Sequence, residues 1–258
     1  MRSRRSDGLW IVFLGLLAFT AAVSALPAPG ADLGTIVANN QRVVTRGQDT
    51  SGIDTLEIAL TMHDSGQDFD ADYKVTRNGR MRIDILKGGK RVYTEAYDGH
   101  RGWDLGKDGS AAVVDPHGDA LWHGTQFPGN IFTLKDMQAN GHKLEYMGRE
   151  RLEGVDYYVL KLTLSDGFVT YRYVNPKTWL IDRARDFRAF HPAVDGHQTW
   201  VETASSDYRP VEGLMYAFLS TNTDVTNGKQ LAIQKATSIK INPKLDPALF
   251  QMPAGSGR

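Results

Sequence analysis

Cysteine is absent from the 258 residues, which excludes disulfides, thiolate-bound metals and a thiol that could carry a lipid anchor. Stability must therefore come from burial alone. Excess charge is missing as well: 30 basic residues balance 30 acidic ones, so the composition calls for neither nucleic acid nor an acidic surface as partner. No serine stands in a Gly-x-Ser-x-Gly elbow and no glycine loop is built to cradle phosphate. No Pro- or Ser-rich linker and no repeat of solenoid length divides the chain.

Long apolar runs are lacking too, with one exception. Arg2, Arg4 and Arg5 precede the run from Leu9 to Leu17, and Val23-Ser24-Ala25 puts small side chains where a signal peptidase reads. The run is shorter than a bilayer-spanning helix needs, and it meets Pro27 and Pro29 instead of a basic stop-transfer flank. The reading is a signal peptide over residues 1–25, cleaved near Ala25, ahead of one exported domain over residues 26–258; an uncleaved anchor is the alternative. Ser3-Arg4-Arg5 resembles a twin-arginine signal, but Asp7 and Gly8 stand where that signal wants apolar residues. Removing residues 1–25 takes away three arginines and one aspartate, leaving 233 residues with a formal charge of −2. That length supports a full hydrophobic core.

Leu33, Ile36, Val37, Val43 and Val44 recur near helical spacing between Asp32, placed to cap, and Gly47, placed to end a helix. Beyond them the period is two. Leu56, Ile58, Leu60 and Met62 alternate with polar residues, as do Met81, Ile83 and Ile85. Arg77-Asn78-Gly79-Arg80 and Lys87-Gly88-Gly89-Lys90 predict tight antiparallel hairpins. A meander is predicted from Leu144–Leu152, Tyr157–Leu164, Val169–Val174 and Trp179–Phe187, finished by Leu214–Leu219 and Leu231–Ile241. Between Asp115 and His142 the alternation fails, and an irregular, lid-like segment is expected with a short helix around Thr133–Asn140.

About ten antiparallel strands and very few helices predict a mainly β (α+β) fold, in which a twisted sheet curls on itself. The interior is either filled by side chains or left as an apolar cavity; the sequence leaves both open.

Catalytic and metal chemistry find little support. Neither His117 with His123 nor His191 with His197 has ligand spacing, and Asp64, Asp68, Asp70 and Asp72, read as a hairpin connection, lack the glycine and glutamate of a calcium loop. No cofactor or metal is expected. Glu95, Asp98 and Asp104 are the only acids worth testing under an enzyme reading. The aromatic residues differ in kind: Trp103, Trp122, Phe127, Phe132, Trp179, Trp200, Tyr216 and Phe218 stand at strand edges or where regular structure fails. Tyr171 and Tyr173 share one strand face with Val169, while Phe168, Thr170 and Arg172 share the other. These ten aromatics, Tyr171 and Tyr173 included, are the candidate cavity-lining residues.

Several segments resemble the periplasmic outer-membrane lipoprotein-sorting, LolA-like proteins. They include Gly141–Gly148, Glu153–Leu162, Tyr171–Ile181, Ser206-Asp207-Tyr208-Arg209-Pro210-Val211-Glu212-Gly213 and Ile241-Asn242-Pro243-Lys244-Leu245-Asp246-Pro247 with Ala248–Pro253. Tyr97-Asp98-Gly99 and Gly102-Trp103 agree more loosely. The resemblance implies an unclosed antiparallel half-barrel whose concave face is covered by helices, with an apolar cavity, no catalysis and a periplasmic location. Its implied partners are lipoprotein acyl chains or another lipid-like ligand, which enter the cavity while a lid moves; the aromatic segment Leu121–Phe132 is read as part of the cavity's cover. Arg42, Arg46 and Arg77 all stand as the lid arginine of that group. Some relatives are instead sensors that read lipidated partners and regulate an envelope membrane protein.

Overall fold

The computed structural model describes residues 31–114, 117–192 and 195–253; the signal-peptide and cleavage-site readings over residues 1–25 lie outside them. The chain opens with helix α1, Leu33–Thr45, where Asp32 accepts from the Thr35 amide at 2.7 Å and Arg46 turns left-handed at φ 51°. The cap expected from the sequence is the cap observed. Among the described residues no helix is long and apolar enough to cross a membrane.

Thirteen antiparallel strands form one sheet that does not close. The first six meander outward: β1 (Thr55–Asp64), β2 (Gln67–Thr76), β3 (Met81–Lys87), β4 (Lys90–Tyr97), β5 (Gly102–Leu105) and β6 (Ala111–Val113). The chain then crosses to the opposite edge through α2 (His117–Gln126) and α3 (Asp136–Ala139). From that edge β7 (Lys143–Leu152), β8 (Val155–Thr163), β9 (Val169–Val174), β10 (Ile181–Ala189), β11 (Gln198–Val211), β12 (Leu214–Asp224) and β13 (Lys229–Ile241) meander back, until β13 pairs with β1. Two-residue turns with left-handed backbone make the sharpest hairpins, as at Glu153-Gly154, with φ 48° and 84°, where glycine removes the steric cost at the second position.

Three expectations are corrected. Asp68, Asp70 and Asp72 are not a turn but one face of β2, alternating with Phe69, Ala71, Tyr73 and Val75; the connection is only Ser65-Gly66. A run of acids masked a clean period of two. The strand predicted from Trp179 begins at Ile181, because Trp179 is left-handed at φ 61° and its N–H closes a turn on the Asn175 carbonyl at 2.8 Å. The segment from Asp115 to His142 holds a ten-residue helix as well as the short one expected.

Register divides the sheet into an inner and an outer face. Inner residues Leu56, Val75, Leu160, Leu162, Val174, Leu214, Tyr216 and Ile239 join Ile36 of α1 and Leu134 and Met137 beside and on α3 in one buried cluster. Helices and the segment that joins the two edges therefore cover the inner face. A smaller cluster of Tyr157, Val159 and Tyr173 lies on the outer face.

Candidate ligand-binding face

Six of the ten sequence-predicted aromatics gather at the inner face. Phe132 and Tyr216 are buried in the main cluster, and Trp122, Phe127, Trp179 and Phe218 pack against it. Trp122 comes from α2, while Phe127 and Phe132 come from the connection that follows it. Trp179 stacks on Tyr158 at 5.4 Å, and its carbonyl accepts from the buried Asn40 side chain of α1 at 2.7 Å. The left-handed turn at Trp179 thus fastens α1 to the sheet. These six side chains pack with inner-face residues of the sheet in one buried cluster.

The other four lie elsewhere. Trp103 is fully buried on the outer side of β5, where Nε1 donates to the Phe250 carbonyl at 2.9 Å beneath the 3-10 turn Pro247–Phe250. Arg82 stacks on Trp103 at 5.7 Å and donates to the Leu249 carbonyl at 2.7 Å, clamping the same C-terminal segment. Tyr173 belongs to the outer cluster, and Tyr171 approaches Trp200 at 6.2 Å. Trp200 and Phe187 are 43% and 49% exposed and touch each other at 5.8 Å, so they form an outer patch, separate from the inner face.

The covering segment is tied down by few polar contacts. Asn130 donates to the Tyr73 hydroxyl at 3.1 Å, and His123 Nε2 meets the Asp166 carboxylate at 2.7 Å. His142 is neutral by arrangement: Nδ1 accepts from the Ser165 amide at 3.2 Å, and Nε2 lies 3.3 Å from Gln126 Oε1 at the end of α2. Burial pushes its pKa below the ordinary histidine value, against the pull of Asp166. Of the three lid-arginine candidates, Arg77 stacks on Phe132 at 5.2 Å while donating to the Thr50 and Ile53 carbonyls. Arg42 donates within its own helix to Asn39, and Arg46 ends that helix.

Part of the inner face is polar. Thr170, Arg172, Asp186, Asn222 and Asp224 are all buried there, and Asp64 receives His191 at 2.8 Å. Asp186 is engaged by Arg188 at 2.7 Å and by the Thr170 hydroxyl at 3.3 Å. Arg172 opposes Leu160 and Ala184 across the sheet, and its guanidinium lies 4.4 Å from the centre of the Phe127 ring. Its Nε and Nη2 are buried without a hydrogen bond. Burial pushes its pKa down to about 10, with Asp186 pulling the other way. The sequence places Arg172 on a face with Phe168 and Thr170, and register shows that face to be the inner one. An arginine alternating with Phe168, Thr170 and Val174 was the available signal.

Among the described residues no group of three or more potential metal ligands converges. Glu95 and Asp104 are cross-strand neighbours on β4 and β5, with Tyr93 donating to Asp104, while Asp98 accepts from the His100 and Arg101 amides in a turn.

An unclosed antiparallel half-barrel, roofed by a helical segment that joins its two edges, is the class of architecture these features define. Its particular form is the LolA-like fold. A LolA superfamily protein from Nitrosomonas europaea matches with a TM-score of 0.55 at 12% identity, over 86% of this chain and 98% of that one. A domain assigned to outer-membrane lipoprotein sorting, from Vibrio parahaemolyticus, matches at 0.54 and 10%, over 81% and 93%. A DUF1329 family protein from Desulfovibrio piger matches at 0.50 and 13%, over 83% and 97%. No protein-family model and no curated protein matches the sequence.

Proposed function

We propose that this chain is a periplasmic carrier or chaperone that holds an acyl chain, or another lipid-like ligand, against the inner face of its half-barrel. The observation that carries the reading is the cover. Trp122, Phe127 and Phe132 sit on one crossing segment and fill the inner face, so lifting that segment would vacate an apolar surface lined by Leu160, Leu162 and Val174. An acyl chain gains about 0.8 kcal/mol for each methylene removed from water. Several methylenes therefore offset the packing lost when the aromatics withdraw. The likeness to a domain assigned to lipoprotein sorting supports the class of cargo, and the basic-apolar-small pattern of residues 1–25 supports export. The reading assigns no catalysis and no cofactor, with Asp98 spent on its own turn.

A second reading, a sensor that reads lipidated partners and regulates an envelope membrane protein, draws on the exposed Phe187 and Trp200 of the outer patch. Co-purification of a membrane protein, abolished by Trp200→Ser, would favour it.

Native mass spectrometry with lipid extraction, on the chain purified from the periplasm of its own host, tests the carrier. A co-purifying acyl ligand, lost on Phe132→Asp or Trp122→Asp, is expected. An empty chain that also fails to bind added lipopeptide would overturn the proposal.

A further inference from the structure

A carrier of purely apolar cargo has no use for a buried cation, yet the inner face holds one. Arg172 is 6% exposed. The neighbouring acids are engaged elsewhere: Asp186 takes Arg188 and Thr170, and on the opposite face Glu202 takes Arg183 and Arg185. Arg77, likewise stacked on the cover, has carbonyl partners for its Nε and Nη2. For Arg172 those same two atoms are left without a hydrogen bond. They form one edge of the guanidinium, with two N–H bonds side by side, and that edge matches two oxygens of a phosphate or carboxylate. The ring lying over the group belongs to Phe127, part of the segment that the ligand displaces.

We propose that Arg172 anchors the oxyanion end of a single-chain acyl ligand whose hydrocarbon runs along Leu160 and Leu162. The assignment rests on the carrier reading above and deepens it: the cargo is an anionic lipid, not an uncharged one. The low dielectric at Arg172 strengthens the ion pair once formed, and the buried donors gain the acceptors they lack. The Phe127 ring faces the guanidinium in the closed state, and the cation–π contact partly compensates the charge until ligand arrives.

The test uses the full mature chain and three probes: lysophosphatidylglycerol below its micellar concentration, the monoacylglycerol of the same chain length, and inorganic phosphate. Calorimetric titration should show the anionic lipid bound at least about tenfold tighter than the neutral one, the scale of a charge-assisted hydrogen bond. Arg172→Met should bring that ratio to about one, through loss of affinity for the anionic lipid. Arg172→Gln, which keeps a donor at the site, guards against a folding defect and should give an intermediate ratio. Equal binding of both lipids by the unmodified chain, or a preference that survives Arg172→Met, overturns the anchor and leaves the carrier standing. Phosphate alone binding with the same dependence on Arg172 overturns the lipid assignment. Failure of the unmodified chain to bind either lipid removes the carrier reading and the anchor together.

Discussion

Replacing Arg172 with methionine should make the ligand-free chain more stable. The arginine leaves two buried donors unsatisfied, each worth about 1–3 kcal/mol in lost solvation. Against this stands its stacking on Phe127 at 4.4 Å, worth up to about 2 kcal/mol in a desolvated setting. Methionine refills most of the volume, and its sulfur keeps a contact with the same ring worth roughly 0.3–1.5 kcal/mol. Asp186 loses a favourable charge nearby but keeps Arg188 and Thr170, so no new orphan is made. The balance is about 2 kcal/mol in favour of the variant, within the range of roughly 1–4 kcal/mol for replacing buried ions by apolar residues. For a chain of this size that raises Tm by about 4–8 °C. Urea unfolding followed by tryptophan fluorescence and far-UV circular dichroism gives the comparison, with the denaturant slope unchanged. A variant that loses more than about 1 kcal/mol at constant slope would refute the reasoning, since it would mean that the guanidinium has a strong partner in the folded state.

Two further predictions concern the fastening of the cover and of the C-terminus. His142 has its pKa lowered, first by burial, so the unfolded chain takes up the proton more readily than the folded one. Stability is thus full above the ordinary value of 6.5 and falls as pH drops through it. Denaturation midpoints between pH 8 and about pH 5 should show this slope shrink in His142→Gln, and an identical slope in the variant would sink the assignment. Trp103→Ala empties a fully buried site under the 3-10 turn and should cost about 3–5 kcal/mol; limited proteolysis should then cut near Leu245–Pro253, whereas unchanged protection there would show that the clamp does not hold that segment.

The sheet and α1 were legible in the sequence because local rules govern them. Leu56, Ile58, Leu60 and Met62 announce a strand by alternation, and Asp32 announces a helix start by its capping oxygen. The strand at Gln67–Thr76 was missed because its outer face carries three aspartates, which read as a turn until the apolar residues between them are counted. The helix at His117–Gln126 was missed because its surroundings are rich in glycine and aromatics, and it is held by packing on β4 and β5 more than by its own pattern. At the site, proximity to the crossing segment was readable for Trp122, Phe127 and Phe132. The face was not: Tyr171 and Arg172 are adjacent in sequence and on opposite sides of the sheet, and register alone decides which one the helices cover.

The pairing of β1 with β13, which sets Leu56 opposite Ile241, also orders events in time. Each meander can form from neighbouring hairpins, but the seam between them closes a loop of nearly the whole chain, so it carries the largest entropic cost and forms late. If the chain crosses a membrane from its N-terminus, β1 waits with one hydrogen-bonding edge bare until β13 emerges. During that interval the edge can recruit a strand from another copy. The yield of this protein should therefore depend on how quickly the segment from Lys229 onward follows the rest, and overproduction should fail first through association of half-emerged chains.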